Sequence, residues 1–138
     1  MASSDMTISQ MPEWSQAMSV GNVLIDAQHR QLLGLGRQAL ELLQAPVLDP
    51  VRFHALLNDI ADATRQHFET EEAILQAHQC PFLDAHRAEH DRYRERLTEL
   101  LFDGIFGAGD RDGLARLIHE LITEHVLQRD VPLKEYMS

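Results

Sequence analysis

The stretch from Val51 to Cys80 contains neither glycine nor proline, and its apolar residues Phe53, Leu56, Leu57, Ile60, Phe68 and Leu75 recur at the spacing of a helix that buries one face. His67 and Glu71 fall on that same face. A helix turns by about 100° per residue, so residues four apart point within roughly 40° of each other. An imidazole and a carboxylate therefore enter a core together. Burying either without a partner costs several kcal/mol, roughly 2–7 for a neutral polar group and more for a charge. A bound metal would satisfy both.

Three further runs have the same period. The first is expected to begin near Asp26, acting as N-cap, and to reach Gln44, with Ile25, Leu32, Leu33, Leu40 and Leu43 inward and Gly36 on the same side, where a partner helix can approach closely. The second starts cleanly, Asp49 as N-cap and Pro50 at the first helical position, and ends near His78 before Cys80-Pro81. The third spans about Phe82 to Ile105 with Phe82, Tyr93, Leu97, Leu100 and Leu101 inward. Gly104, Gly107 and Gly109 close it. Asp110 or Asp112 can cap the fourth, whose stripe is Leu114, Leu117, Ile118, Leu121 and Ile122 and which leads to His125. Pro132 should end regular structure near Asp130. Four long amphipathic helices with short connections predict an all-α, up-down-up-down four-helix bundle. The expected layout is one domain over residues 1–138: an extended N-terminal arm at 1–24 anchored by Trp14, a bundle at 25–131 and a C-terminal tail at 132–138.

Charge and composition narrow the partners. A formal net charge of -10 is the wrong sign for phosphate-rich surfaces, so neither nucleic acid nor an anionic membrane is expected. No apolar run approaches the length of a membrane span and the first twelve residues lack the apolar segment of an export signal, which predicts a soluble cytoplasmic protein. A single cysteine, Cys80, excludes an internal disulfide and reads as a packed or surface thiol at a helix end.

The eight histidines divide by helical phase. His29, His67, His86, His90 and His125 lie on apolar stripes, whereas His54 and His119 sit about 220° and 240° around from His67 and His125 and are assigned to solvent. His78 returns to within about 20° of the His67 direction and is placed at the end of the bundle. One histidine on an apolar face is usually a hydrogen-bonded core residue. Five on four helices, together with the inward Glu71 and with Asp130 just past the last of them, point instead to a shared metal centre. Glu69 and Glu72 read as solvated charge on the outer face. Imidazole and carboxylate donors suit iron among several first-row metals, and the absence of an inward cysteine argues against iron–sulfur or structural zinc chemistry; a mononuclear zinc site is the alternative, but it would leave ligands unused. Two six-coordinate ions offer twelve positions; five imidazoles, two bridging carboxylates and one bridging oxide or hydroxide fill all but one, which suits a small ligand. No Glu-x-x-His pair of the carboxylate-rich di-iron bundles occurs. The nearest, Asp26 to His29, suits a supporting or capping role.

Trp14, Gly21, Ile25-Asp26-Ala27-Gln28-His29, His67-Phe68-x-x-Glu71-Glu72, His86-x-x-x-His90 and His125-x-x-x-x-Asp130 occur in that order, and the chain resembles the haemerythrin family, specifically its single-domain bacterial members, the bacteriohaemerythrins, over nearly its whole length. The resemblance implies a non-haem di-iron centre with an oxo or hydroxo bridge: His86, His90 and His125 on one iron, His29 and His67 on the other, Glu71 and Asp130 bridging. It implies reversible binding of O2 at the two-histidine iron, for oxygen storage, transport or delivery, rather than an enzyme. An O2 or redox sensor acting through a separate partner, and a di-iron enzyme acting on nitric oxide or peroxide, are the alternatives. A reductase or oxidase would be the protein partner of a carrier. Leu75, Cys80 and Leu121 depart from residues common in the family, and they bear on the pocket lining rather than on the ligands. The five-residue step from His125 to Asp130 turns an ideal helix by about 140°, so a distorted helix end is expected near Gln128 to Val131.

Overall fold

The computed structural model describes residues 11–105, 111–125 and 131–137. Four helices, α1 (Val23–Gln44), α2 (Pro50–Ala77), α3 (Leu83–Ile105) and α4 (Arg111–Thr123), form the body, and two short 3-10 segments, Gln16–Met18 and Val131–Tyr136, flank it. There is no strand among the described residues. α1 packs on α2 and α4, and α3 packs on the same two helices, which closes the expected four-helix bundle.

The helix ends follow local chemistry. At the start of α2, Asp49 Oδ1 accepts from the N–H groups of Val51 (3.1 Å) and Arg52 (3.3 Å), with Pro50 in the first turn, as the sequence predicts. Its far end closes with Cys80 N–H donating to Leu75 O at 2.9 Å and Gln79 N–H to Gln76 O at 3.1 Å. Gln79 takes the left-handed conformation (φ 54°) that glycine usually occupies in this motif, and Cys80 and Leu75 complete it by packing together. α1 begins four residues earlier than expected. Asn22, not Asp26, is its N-cap, accepting from Ile25 N–H at 3.0 Å, because Gly21 (φ 77°) turns the chain just before it. The Asp26 carboxylate is taken up by the arm, accepting from Ser19 Oγ at 2.6 Å and Val20 N at 3.0 Å. α4 starts at Arg111, so Asp112 lies in its first turn rather than at the cap. Arg111 Nη1 donates to Ala45 O at 2.7 Å, placing a cation on the carbonyl end of α1.

The predicted stripes are inside. The main core joins Leu32, Leu33, Leu40 and Leu43 of α1 to Phe53, Leu57, Ile60 and Phe68 of α2, Tyr93 and Leu97 of α3, and Leu114, Ile118, Leu121 and Ile122 of α4. Gly36 serves the close approach foreseen for it: a Cβ there would stand 2.7 Å from Ile122 Cδ1 and 2.8 Å from Met11 Cε. The arm is therefore docked. Met11 and Val20 are buried, and Trp14 packs on the core with the Arg30 guanidinium 3.9 Å over its ring.

Phe82 was expected inward but is 53% exposed, edge-on to Tyr136, because it precedes the first turn of α3 and falls outside its buried stripe. The C-terminal segment also departs from expectation. Pro132 does not end regular structure but lies within the Val131–Tyr136 segment, since proline fits the first turn of a new helix as well as it stops an old one. Met137 is 0% exposed in a second, smaller core with Val20, Ile25, Leu75 and Cys80, and Asn22 Nδ2 donates to its carbonyl at 3.0 Å. Cys80 is a buried free thiol. Leu100's side chain, Gly107, Gly109, Asp110 and the 126–130 stretch that includes Gln128 and Asp130 lie outside the described residues.

Candidate metal centre

Between the two cores the helices carry polar residues instead of leucines. His29 follows Ile25 by one turn on α1, Glu71 stands between Phe68 and Leu75 on α2, and α3 brings His86 and His90 to the same level. His125 arrives on a wider, π-helical turn, Glu124-His125, that continues α4. Together with His67 these side chains are at most 4% exposed. The helical phase of the sequence thus put six of its seven proposed site residues correctly inside. The seventh, Asp130, lies outside the described residues.

Glu71 is the hub. Its Oε1 contacts His86 Nε2 and lies 3.1 Å from His90 Nε2, while its Oε2 lies 3.0 Å from His67 Nε2 and 3.8 Å from His125 Nε2. Potential ligand atoms of Glu71, His86, His90 and His125 all lie within 4.8 Å of one another, and so do those of His29, His67 and Glu71. The one carboxylate belongs to both groups.

The outer nitrogens show which face of each ring is available. His67 Nδ1 lies 2.9 Å from Gln28 Oε1, and Gln28 is oriented by its Nε2 donating to Thr70 Oγ1 at 3.1 Å, whose hydroxyl donates to Gln66 O at 2.9 Å. His90 Nδ1 lies 2.7 Å from Glu72 Oε2. Both partners are acceptors, so both Nδ1 atoms carry a proton, and the Nε2 atoms, which in the neutral ring hold the lone pair that ligates a metal, point into the cluster. There His67 Nε2 meets His125 Nε2 at 3.2 Å and Glu71 Oε2 at 3.0 Å. Electron-rich atoms that converge in this way, with their outer nitrogens held by acceptors, fit bound cations. A set of imidazoles and carboxylate without thiolate suits first-row divalent metals, iron included.

Sequence reasoning missed Gln28 and Glu72. Glu72 was assigned to the solvated outer face, yet its side chain is only 19% exposed and also accepts from Arg87 Nε and Arg94 Nη2, each at 3.3 Å. Burial raises its pKa, but the hydrogen bonds and charges of His90 and Arg94 outweigh burial and hold it below the ordinary carboxylate value. A residue next to a buried one sits about 100° around the helix, at the stripe's edge, and only a neighbouring helix decides whether it is wet. Glu69 is exposed as expected. His54 and His119 are half-buried, not fully solvated, but belong to neither ligand group; His78 is exposed at the end of α2.

A small cavity, with room for about one water molecule, adjoins His125 and is lined by Leu32, Thr64, Phe68, Tyr93, Leu121 and Ile122. Tyr93 stands edge-on to His125 with ring centroids 5.3 Å apart. Leu121, one of the departures noted above, is part of this lining.

Residues 20–131 match the model of the Hemerythrin HHE cation binding domain. The chain belongs to the haemerythrin family. Among curated relatives it is similar to a bacteriohemerythrin of Stenotrophomonas maltophilia (strain R551-3), 23% identical over 82% of this chain and 72% of that one. A bacteriohemerythrin of Aquifex aeolicus (strain VF5) is 27% identical over 62% of this chain and 64% of its own length. No solved structure gives a significant match. The cluster of histidines and Glu71 is thus a group able to hold a metal ion in a haemerythrin-family fold with no described helix long and apolar enough to cross a membrane.

Proposed function

We propose that this haemerythrin-family chain holds two iron ions and binds O2 reversibly, as a cytoplasmic carrier or store rather than an enzyme. In this reading His86, His90 and His125 ligate one iron, His29 and His67 the other, and Glu71 and Asp130 bridge. The observation that carries it is the membership of Glu71 in both ligand groups, Oε1 turned to His86 and His90 of the one and Oε2 to His67 of the other at 3.0 Å, with His125 of the first group farther off at 3.8 Å from Oε2. A carboxylate so shared is suited to two ions rather than one. The name bacteriohemerythrin carried by both relatives supports the same reading.

Ferrous iron at the pair would supply the electrons that reversible O2 binding needs. The chain's own residues supply the rest. Gln28 and Glu72 fix the His67 and His90 rings with their Nε2 atoms inward, so little reorganisation is required when a ligand arrives. Leu32, Phe68, Leu121 and Ile122 keep the adjoining cavity small and apolar, which limits access of water and protons that would promote irreversible oxidation.

The test is iron content and melting of single variants. His86→Ala and His125→Ala are expected to lose iron and to unfold at lower temperature, because metal binding and folding are coupled. His54→Ala and His119→Ala are expected to retain full iron. Unchanged iron and melting in both ligand variants would sink the assignment.

A further inference from the structure

We infer that the two metal positions hold their ions with unequal strength, the three-histidine position tightly and the two-histidine position loosely, and that Glu72 and Gln28 set much of the difference as positioning residues. The inference rests on the di-iron reading above. It starts from a chemical asymmetry between the outer hydrogen bonds. His90, in the group with His86 and His125, gives its Nδ1 proton to a carboxylate at 2.7 Å, whereas His67, in the group with His29, gives its proton to a neutral amide oxygen at 2.9 Å. A carboxylate draws the Nδ1 proton away and makes Nε2 a stronger electron donor; an amide does so far less.

The supports beyond these partners differ in the same sense. Glu72 is held in place by Arg87 Nε and Arg94 Nη2, each at 3.3 Å. Arg94 also lies 5.2 Å over the Phe68 ring, and that ring stacks on His90 at 3.9 Å and 6°. His90 is therefore gripped at its edge by an anion and on its face by an aromatic ring that the same arginine covers. Among the described residues, Gln28 Nε2 is held by the Thr70 hydroxyl, and that chain ends on a backbone carbonyl of its own helix. Ligand number by itself would also favour the three-histidine position, so the two outer residues must be varied to separate the effects.

The experiment loads the full chain with two Fe(II) per protein under anaerobic conditions, adds an excess of a ferrous chelator and follows release by the chelate's absorbance. The wild type should release one iron in a fast phase and one in a slow phase, with rates at least about tenfold apart. Glu72→Gln should speed the slow phase by about 10–100-fold and leave the fast phase alone, and Gln28→Glu should slow the fast phase by about tenfold. Melting of the metal-free variants checks that each is folded. If Glu72→Gln does not fold, Gln28→Glu carries the test. Release of both wild-type irons in one phase would overturn the inference while leaving the di-iron reading in place. So would an equal effect of either variant on both phases, or no effect on the phase named for it. A wild-type protein that takes up no iron would overturn the di-iron reading and this inference with it.

Discussion

Met137→Ala tests whether the C-terminal segment is part of the folded body. Met137 is 0% exposed and packs with Val20, Ile25, Leu75 and Cys80 at the end of the bundle where α1 begins and α2 closes. Truncation removes its thioether and terminal methyl from a sealed site, and buried Met→Ala changes cost about 2–5 kcal/mol depending on how far the surroundings collapse. The short 3-10 segment that carries it can settle partly into the space, so the lower half of that range, about 2–3 kcal/mol, is expected. The bond from Asn22 Nδ2 uses the Met137 carbonyl and survives the change, so the loss reports packing alone. With a urea dependence of about 2 kcal/mol per molar, the unfolding midpoint should fall by about 1–1.5 M. Cys80, 7% exposed beneath Met137, should react faster with a thiol reagent under native conditions. A midpoint within about 0.2 M of wild type and unchanged thiol reactivity would refute the packed C-terminal segment.

Other perturbations probe the arm and the helix contacts. Gly36→Ala pushes only against the mobile ends of Ile122 and Met11 and gains helix propensity, so its stability should stay within about 1 kcal/mol of wild type. Gly36→Leu has no such escape and should lose about 3 kcal/mol in urea unfolding. Asp26→Ala removes the acceptor for Ser19 Oγ and Val20 N and an acidic group from the first turn of α1; a loss of about 1.5–3 kcal/mol, with faster proteolysis within the arm, is expected. Wild-type proteolysis rates in that variant would show that the clamp does not hold the arm.

The bundle and the burial of most of the candidate metal centre were legible because helical phase is a local property. Once Phe53, Leu57, Ile60 and Phe68 fix the inward direction of α2, the positions of His67 and Glu71 follow without knowledge of any other helix. The same holds for His29 on α1 and for His86 and His90 on α3. What phase cannot supply is what a second segment brings to a stripe's edge. Glu72 looks solvated until α3 sets His90, Arg87 and Arg94 against it, and Gln28 looks like an ordinary surface amide until α2 presents His67 and Thr70. The start of α1 is not legible because Asn22 and Asp26 are both good capping residues, and the turn at Gly21 together with the docking of Ser19 and Val20 on Asp26 decides between them. Burial of Met11 and Met137 likewise depends on distant partners, Gly36 with Ile122 for the first and Val20 with Leu75 for the second. Short segments without a period of their own carry no signal for such docking.

The most direct test of the central claim is to reduce the iron-loaded protein without air, admit O2, and then strip it off while recording the visible spectrum and the iron per chain. A reversible di-iron carrier predicts two irons per chain, a colourless reduced form, colour on exposure to O2 and bleaching when O2 is removed. Iron well below two per chain, or a single irreversible change of spectrum on first contact with O2, would contradict it.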